Sequence, residues 1–103
     1  MLVVTNTIKV KEGHGAAMAQ RFAGSGGVQD MPGFARMEVW HGSAKEGVEE
    51  LKICTVWENE ESFKGWTSSE SFKQSHRGAG GSDVILGASL DKYELLISRT
   101  PGN

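Results

Sequence analysis

The chain has 103 residues, with 11 Lys and Arg against 13 Asp and Glu and a formal charge of -2. It therefore offers no basic field for nucleic acid and no polybasic membrane patch. One domain accounts for the whole length, 1–103, and a domain this small buries only about 60–70% of the surface its unfolded chain exposes, so a large cavity competes with its core and a homodimer is expected.

Met1 runs directly into a strand pattern without a leader signature, and no window approaches transmembrane length, which points to a cytoplasmic protein. The first strand spans Leu2 to Val10. Leu2, Val4, Ile8 and Val10 share one parity, and Val3, Thr5, Thr7 and Lys9 lie opposite. Asn6 falls on the apolar parity. Burying an amide without a partner costs about 1–3 kcal/mol, so Asn6 is either a satisfied core asparagine or a group that serves something entering a pocket.

A helix follows over Gly15 to Ala23, with Met18 and Phe22 at i, i+4 on its buried side. The glycines at 24, 26 and 27 form a flexible connector; with no Lys-Ser or Lys-Thr after them they are not a phosphate loop. A second strand runs from Phe34 to Trp40, a polar turn covers Gly42 to Gly47, and a third strand spans Val48 to Trp57 with Leu51, Ile53, Thr55 and Trp57 on one face. Cys54, the single cysteine, reads as a buried small hydrophobe in a reducing compartment, and Trp40 and Trp57 read as packing residues.

The segment from Glu58 to Arg77 is helical but interrupted. Asn59 caps a first piece, and Thr67 with Glu70 forms a capping-box pattern that starts a second. Trp66 thus falls at the break, on one face with Phe63, and His76 shares a face of the second piece with Phe72. On one straight helix Trp66 and His76 would lie about 15 Å apart along the axis, whereas a break lets both face one cavity. A glycine-rich stretch from Gly78 to Ser89 leads to the last strand, Leu90 to Ser98.

The order strand, helix, strand, strand, helix, strand is the ferredoxin-like βαββαβ plan, an α+β fold with an antiparallel sheet and both helices on one face. Two copies can pack their bare faces together as a dimeric α+β barrel, which leaves the helix-facing side of each sheet for a pocket.

The run Trp57, Glu58, Asn59, Glu60, Glu61, Ser62, Phe63, Lys64, Gly65, Trp66, continued by Ser71, Phe72, Lys73 and His76, resembles the signature of the IsdG-type haem-degrading monooxygenases. The likeness extends over essentially the whole chain, including the Pro-Gly-Phe entry to the second strand and Asn6 on the first. It implies that His76 is the proximal ligand of the haem iron, that Asn6 places an amide donor on the distal side, and that Trp66 presses the macrocycle out of plane. Taken alone, His76 reads as a surface residue at a helix end and Trp66 as core packing. His14 and His41 read as a loop and a strand residue.

By the same resemblance, haem is both substrate and cofactor, O2 is consumed, and iron is released. The chain carries no flavin or NAD fingerprint, so an external reductase or electron donor is implied. Arg21, Arg36, Lys73 and Arg77 are candidate partners for the haem propionates, each with a plain reading as a solvated charge. Family members usually carry a less glycine-rich loop than Gly78 to Ser89. Two other functions remain open: a cofactor-independent quinol or polyketide monooxygenase using the same three residues for substrate orientation and proton transfer, and a non-catalytic haem carrier or sensor.

Overall fold

The computed structural model describes residues 1–23, 27–70 and 85–102. Four strands, β1 (Leu2–Lys11), β2 (Phe34–Lys45), β3 (Val48–Trp57) and β4 (Ile85–Glu94), form one antiparallel sheet in the order β2-β3-β1-β4. Helix α1 (Gly15–Ala23) follows β1, and helix α2 (Glu60–Thr67) follows β3. This is the ferredoxin-like arrangement expected from the periodicities.

The parity of β1 is realised. Val4, Ile8 and Val10 are buried beneath the helices, and opposite them on β3 lie Thr55, Leu51 and Glu49. Two apolar clusters result. Ile8, Val10, Leu51 and Ile53 receive Met18 from α1, while Val4, Val28, Trp57 and Phe63 gather Leu2, Met31, Phe34 and Trp66 around α2. Trp57 is fully buried and meets the rings of Phe34 and Phe63 edge to face, at centroid distances of 5.4 and 6.0 Å. Its indole N–H donates to Thr55 Oγ1 at 3.0 Å, so the polar tip of the largest core side chain is satisfied.

Local chemistry sets the ends of α2. Asn59 caps it as expected, its side-chain oxygen accepting from the Ser62 N–H at 2.9 Å. Gly33, at φ 81°, permits the chain to pass close beneath that first turn, because a Cβ there would collide with the Ser62 side chain.

Three boundaries differ from the sequence expectation. β2 continues five residues beyond Trp40, since pairing with β3 persists at Gly42 and, after a register shift, at Lys45, and the reversal occurs only at Glu46 and Gly47, both at positive φ. A short 3-10 turn, Val28–Asp30, follows the glycines and buries Val28. β4 occupies Ile85–Glu94 instead of Leu90–Ser98, because its ladder with β1 ends where Leu2 meets Glu94. Beyond that pair one bond, from the Leu95 N–H to the Met1 carbonyl, closes the ladder.

The charged residue Glu49 also lies on the helix-facing parity of β3 and is buried. Its carboxylate accepts the Gly13 N–H at the entrance to α1 and pairs with His41 Nε2 from β2. Gly15 is required here, since a Cβ would run into both side chains. The His41 contact and the Gly13 N–H hold the Glu49 carboxyl below its ordinary value, against the opposing effect of desolvation. A negative charge at the helix N-terminus also complements its dipole. With a depressed folded value, this contribution is complete above the unfolded carboxylate value, near about pH 4.3, and is lost as pH falls through the folded one. Glu49→Gln keeps the acceptor and removes the charge. Thermal melts across pH 2–7 should show a lower midpoint than wild type at neutrality and a shallower decline into acid.

Candidate functional site

β-Sheet register places Asn6 in a row across the helix-facing side: Val39 on β2, Ile53 on β3, Asn6 on β1 and Leu90 on β4. Val4 on one side of Asn6 belongs to the α2 cluster and Ile8 on the other to the α1 cluster, so the amide sits at the seam between them. It is half-buried. Among the described residues no hydrogen bond engages its side chain. The amide thus stands on the helix-facing side of the sheet, with its donors and acceptor uncommitted among the described residues.

Among the described residues, α1 packs on β2 and β3, and α2 on β3. Ile53, on one side of Asn6 in this row, is 8% exposed, and Leu90, on the other, is 53% exposed.

Trp66 lies in the last turn of α2, which ends at Thr67 with Ser68 as its cap. The expected interruption is present at this point. The indole is partly buried and packs against the Trp57 and Phe63 cluster, one helical turn from Phe63. Lys92 closes the β4 side of that turn, with Nζ 2.7 Å from Glu60 Oε1 and 5.5 Å from the Phe63 ring centre. The structure thus brings Asn6 and Trp66 to the same side of the sheet. His76, Lys73, Arg77 and most of the Gly78 to Ser89 loop lie outside the described residues, as does the side chain of Arg21.

The antibiotic biosynthesis monooxygenase profile matches residues 1–78. The chain belongs to that family. A protein named heme-degrading monooxygenase in Bacillus thuringiensis (strain Al Hakam) is 38% identical over 102 residues, covering 98% of this chain and 95% of the relative. The heme degrader MhuD of Mycobacterium tuberculosis, solved with two hemes bound in its active site, superposes with a TM-score of 0.74 at 29% identity, over 97% of this chain and all of MhuD (100%). A MhuD variant with two manganese protoporphyrin IX molecules per active site gives a TM-score of 0.76 at 30% identity, covering 97% of this chain and 99% of the other. The resemblance read from the run between Trp57 and His76 is thereby borne out at the level of the family.

Within this antibiotic biosynthesis monooxygenase fold several other sequence readings resolve. Arg36 projects from the face away from the helices and pairs with Glu38 at 3.3 Å, which removes it from the propionate candidates. Trp40 lies on that same far face, half exposed, with its indole N–H donating to Glu38 at 2.9 Å, so it is not core packing within the chain. Cys54 is buried, and burial pushes its thiol up, consistent with a small hydrophobe and not a nucleophile. His41 is a strand residue as expected, but its tie to Glu49 escaped the sequence reading, although Glu49 carried the same signal as Asn6: a polar residue on an apolar parity. A separate notch of about 330 Å³ between Met31, Pro32 and the outer side of α2 contains none of the candidate residues.

The uncommitted state of Asn6 has a measurable consequence. A satisfied core amide would cost about 1–3 kcal/mol on removal. Asn6→Leu should instead leave the thermal midpoint unchanged or raise it by several degrees, at about 4–8 °C per kcal/mol for a domain of this size, in differential scanning calorimetry.

Proposed function

We propose that this protein is a haem-degrading monooxygenase that binds haem as substrate and cofactor and opens its ring with O2 and externally supplied electrons, releasing iron. The observation that carries this reading is the Asn6 amide, which makes no hydrogen bond among the described residues and stands on the helix-facing side of the sheet, the side on which Trp66 packs. An amide set among apolar side chains fits a flat, largely hydrophobic ring. The names of the B. thuringiensis relative and of MhuD support the same substrate.

Haem supplies the iron that activates dioxygen and also the ring that is opened. Asn6 contributes N–H donors that do not titrate, so it orients a polar group on the distal side over a wide pH range. Trp66 contributes a rigid indole, braced from behind by Trp57 and Phe63, against which the ring can be bent. His76 is the proposed iron ligand, on the strength of its place in the sequence motif.

Electrons come from an external reductase, and the protein acts in the cytoplasm; among the described residues no helix is long and apolar enough to cross a membrane. The working unit is a homodimer. Supporting it, the sheet face away from the helices holds a buried Thr5 hydroxyl with no partner, beside half-exposed Trp40 and Tyr93, and the end of the chain presents Leu96 at 82% and Ile97 at 74% exposure. Sedimentation equilibrium should return twice the chain mass; a monomer at micromolar concentration would remove the barrel.

Titration with hemin, followed by ascorbate in air with catalase present, tests the activity. The expected result is a saturable Soret band that bleaches. Asn6→Ala should keep the band but bleach it slower by about tenfold or more, the scale on which a preorganised donor acts. His76→Ala should lose saturable binding. A band that never bleaches with competent reductants would make the protein a carrier, and no band at all would favour the quinol monooxygenase reading.

A further inference from the structure

Helix α2 is fixed at its start. Asn59 caps the first turn, Lys92 pairs with Glu60, and Phe63 is seated on Trp57. After Phe63 the sequence supports a helix less well: Trp66 stands among Gly65, Thr67, Ser68 and Ser69, residues that lose backbone entropy or bond to the backbone with their own hydroxyls. Thr67 Oγ1 donates to the Lys64 carbonyl at 3.1 Å and Ser69 Oγ to the Trp66 carbonyl at 2.6 Å. The turn that carries the indole is thus closed with the help of side chains.

Nothing among the described residues demands a glycine at position 65. Its backbone is not in the left-handed region, unlike that of Gly33 or Gly47. A Cβ there would meet nothing within 4 Å among the described residues, whereas Gly15 and Gly33 are both hemmed in. Gly65 is exposed and lines the notch beside Met31 and Pro32, on the outer side of α2 with Glu61 and Ser62, while Phe63 and Trp66 pack on the inner side. The missing side chain therefore makes no room for a ring on the inner side. What it does is weaken the helix, because glycine disfavours helical backbone more than any residue except proline.

We infer that Gly65 is a hinge that lets the turn carrying Trp66 move against the anchored first turn of α2, so that the indole follows the haem ring as it binds and as it is opened. This positioning role rests on the function proposed above. The notch of about 330 Å³ behind the helix leaves that turn space to tilt outward. Gly65 acts through Trp66, from the outer side of the helix.

Gly65→Ala and Gly65→Asn test the hinge, since both add a Cβ but only alanine favours the helix. In haem-free protein the amides of Ser68 and Ser69, which donate to the Lys64 and Trp66 carbonyls, report the turn by hydrogen exchange. Their exchange should slow by about fivefold in Gly65→Ala and stay within about twofold of wild type in Gly65→Asn. The thermal midpoint of Gly65→Ala should rise by a few degrees. In hemin turnover with ascorbate and catalase, Gly65→Ala should keep the hemin Kd within about threefold and lower kcat by at least about threefold, with Gly65→Asn close to wild type. Unchanged exchange in Gly65→Ala overturns the hinge, as does a wild-type kcat once exchange has slowed. An equal loss of kcat in both variants also overturns it, since the added side chain and not helix stiffness would then be the cause. A lowered midpoint in Gly65→Ala would mean that packing demands the glycine and overturns it too. Wild type that binds no hemin, or never bleaches it, defeats the functional reading itself, whereas wild type that turns over no faster than Gly65→Ala defeats this inference alone.

Discussion

The packing of Phe34 and Phe63 on Trp57 is the constraint from which the site geometry follows. Trp57 is the last residue of β3 and fully buried, with the two phenyl rings edge-on to its indole. Such aromatic contacts add about 0.5–1.5 kcal/mol each beyond their buried area. They also fix direction. Phe63 belongs to α2, so seating it on Trp57 orients the short helix, and Trp66, three residues on, is carried to the same side. An eight-residue helix would not hold a defined pose by its own propensity. Its Asn59 cap, the close passage at Gly33 and the Glu60 to Lys92 pair determine its first turn, and Trp57 determines its face.

Among the described residues, α1 and α2 cover the sheet unevenly. The described helices lean toward β2 and β3, where Leu51, Ile53 and Trp57 make the dense part of the core beneath them. Glu49 and His41 perform a polar task for the fold, fastening the entrance of α1 to β3 and β2. Two polar residues on apolar parities thus have opposite fates. Glu49 is satisfied by backbone and imidazole, whereas Asn6 is left uncommitted among the described residues.

Much of this was legible because period-two alternation is strict wherever one face of a sheet is buried. β1 and β3 follow that rule closely, so the strand assignment, the α+β plan and the odd position of Asn6 all came from parity. The end of β4 did not, because it is set by where β1 starts and not by any residue within β4: Leu96 and Ile97 look as strand-like as Leu86 and Leu90 but lie past the Leu95 to Met1 bond that closes the ladder. Trp40 misled for a related reason. Its strand is an edge, and whether an edge residue is covered depends on what lies beyond the chain. The Glu49 anchor was readable in principle from the same parity, but a lone carboxylate near a turn also fits a solvated strand end. His76 rests on motif spacing alone, since it lies outside the described residues.

The contrast between Glu49 and Asn6 also separates two ways in which a polar residue can occupy an apolar parity. Sequences that specify a single fold tend to satisfy every level at once, and the places where they do not are enriched in functional sites. Glu49 meets that standard, because the Gly13 N–H and His41 take up its carboxylate and the pair fastens α1 to the sheet. Asn6 does no such task among the described residues: its side chain makes no hydrogen bond, and it stands between the α1 and α2 clusters in a row otherwise apolar, Val39, Ile53 and Leu90. Packing therefore accounts for the carboxylate and leaves the amide without a structural reason, which is why Asn6 and not Glu49 is the residue whose replacement separates fold from function.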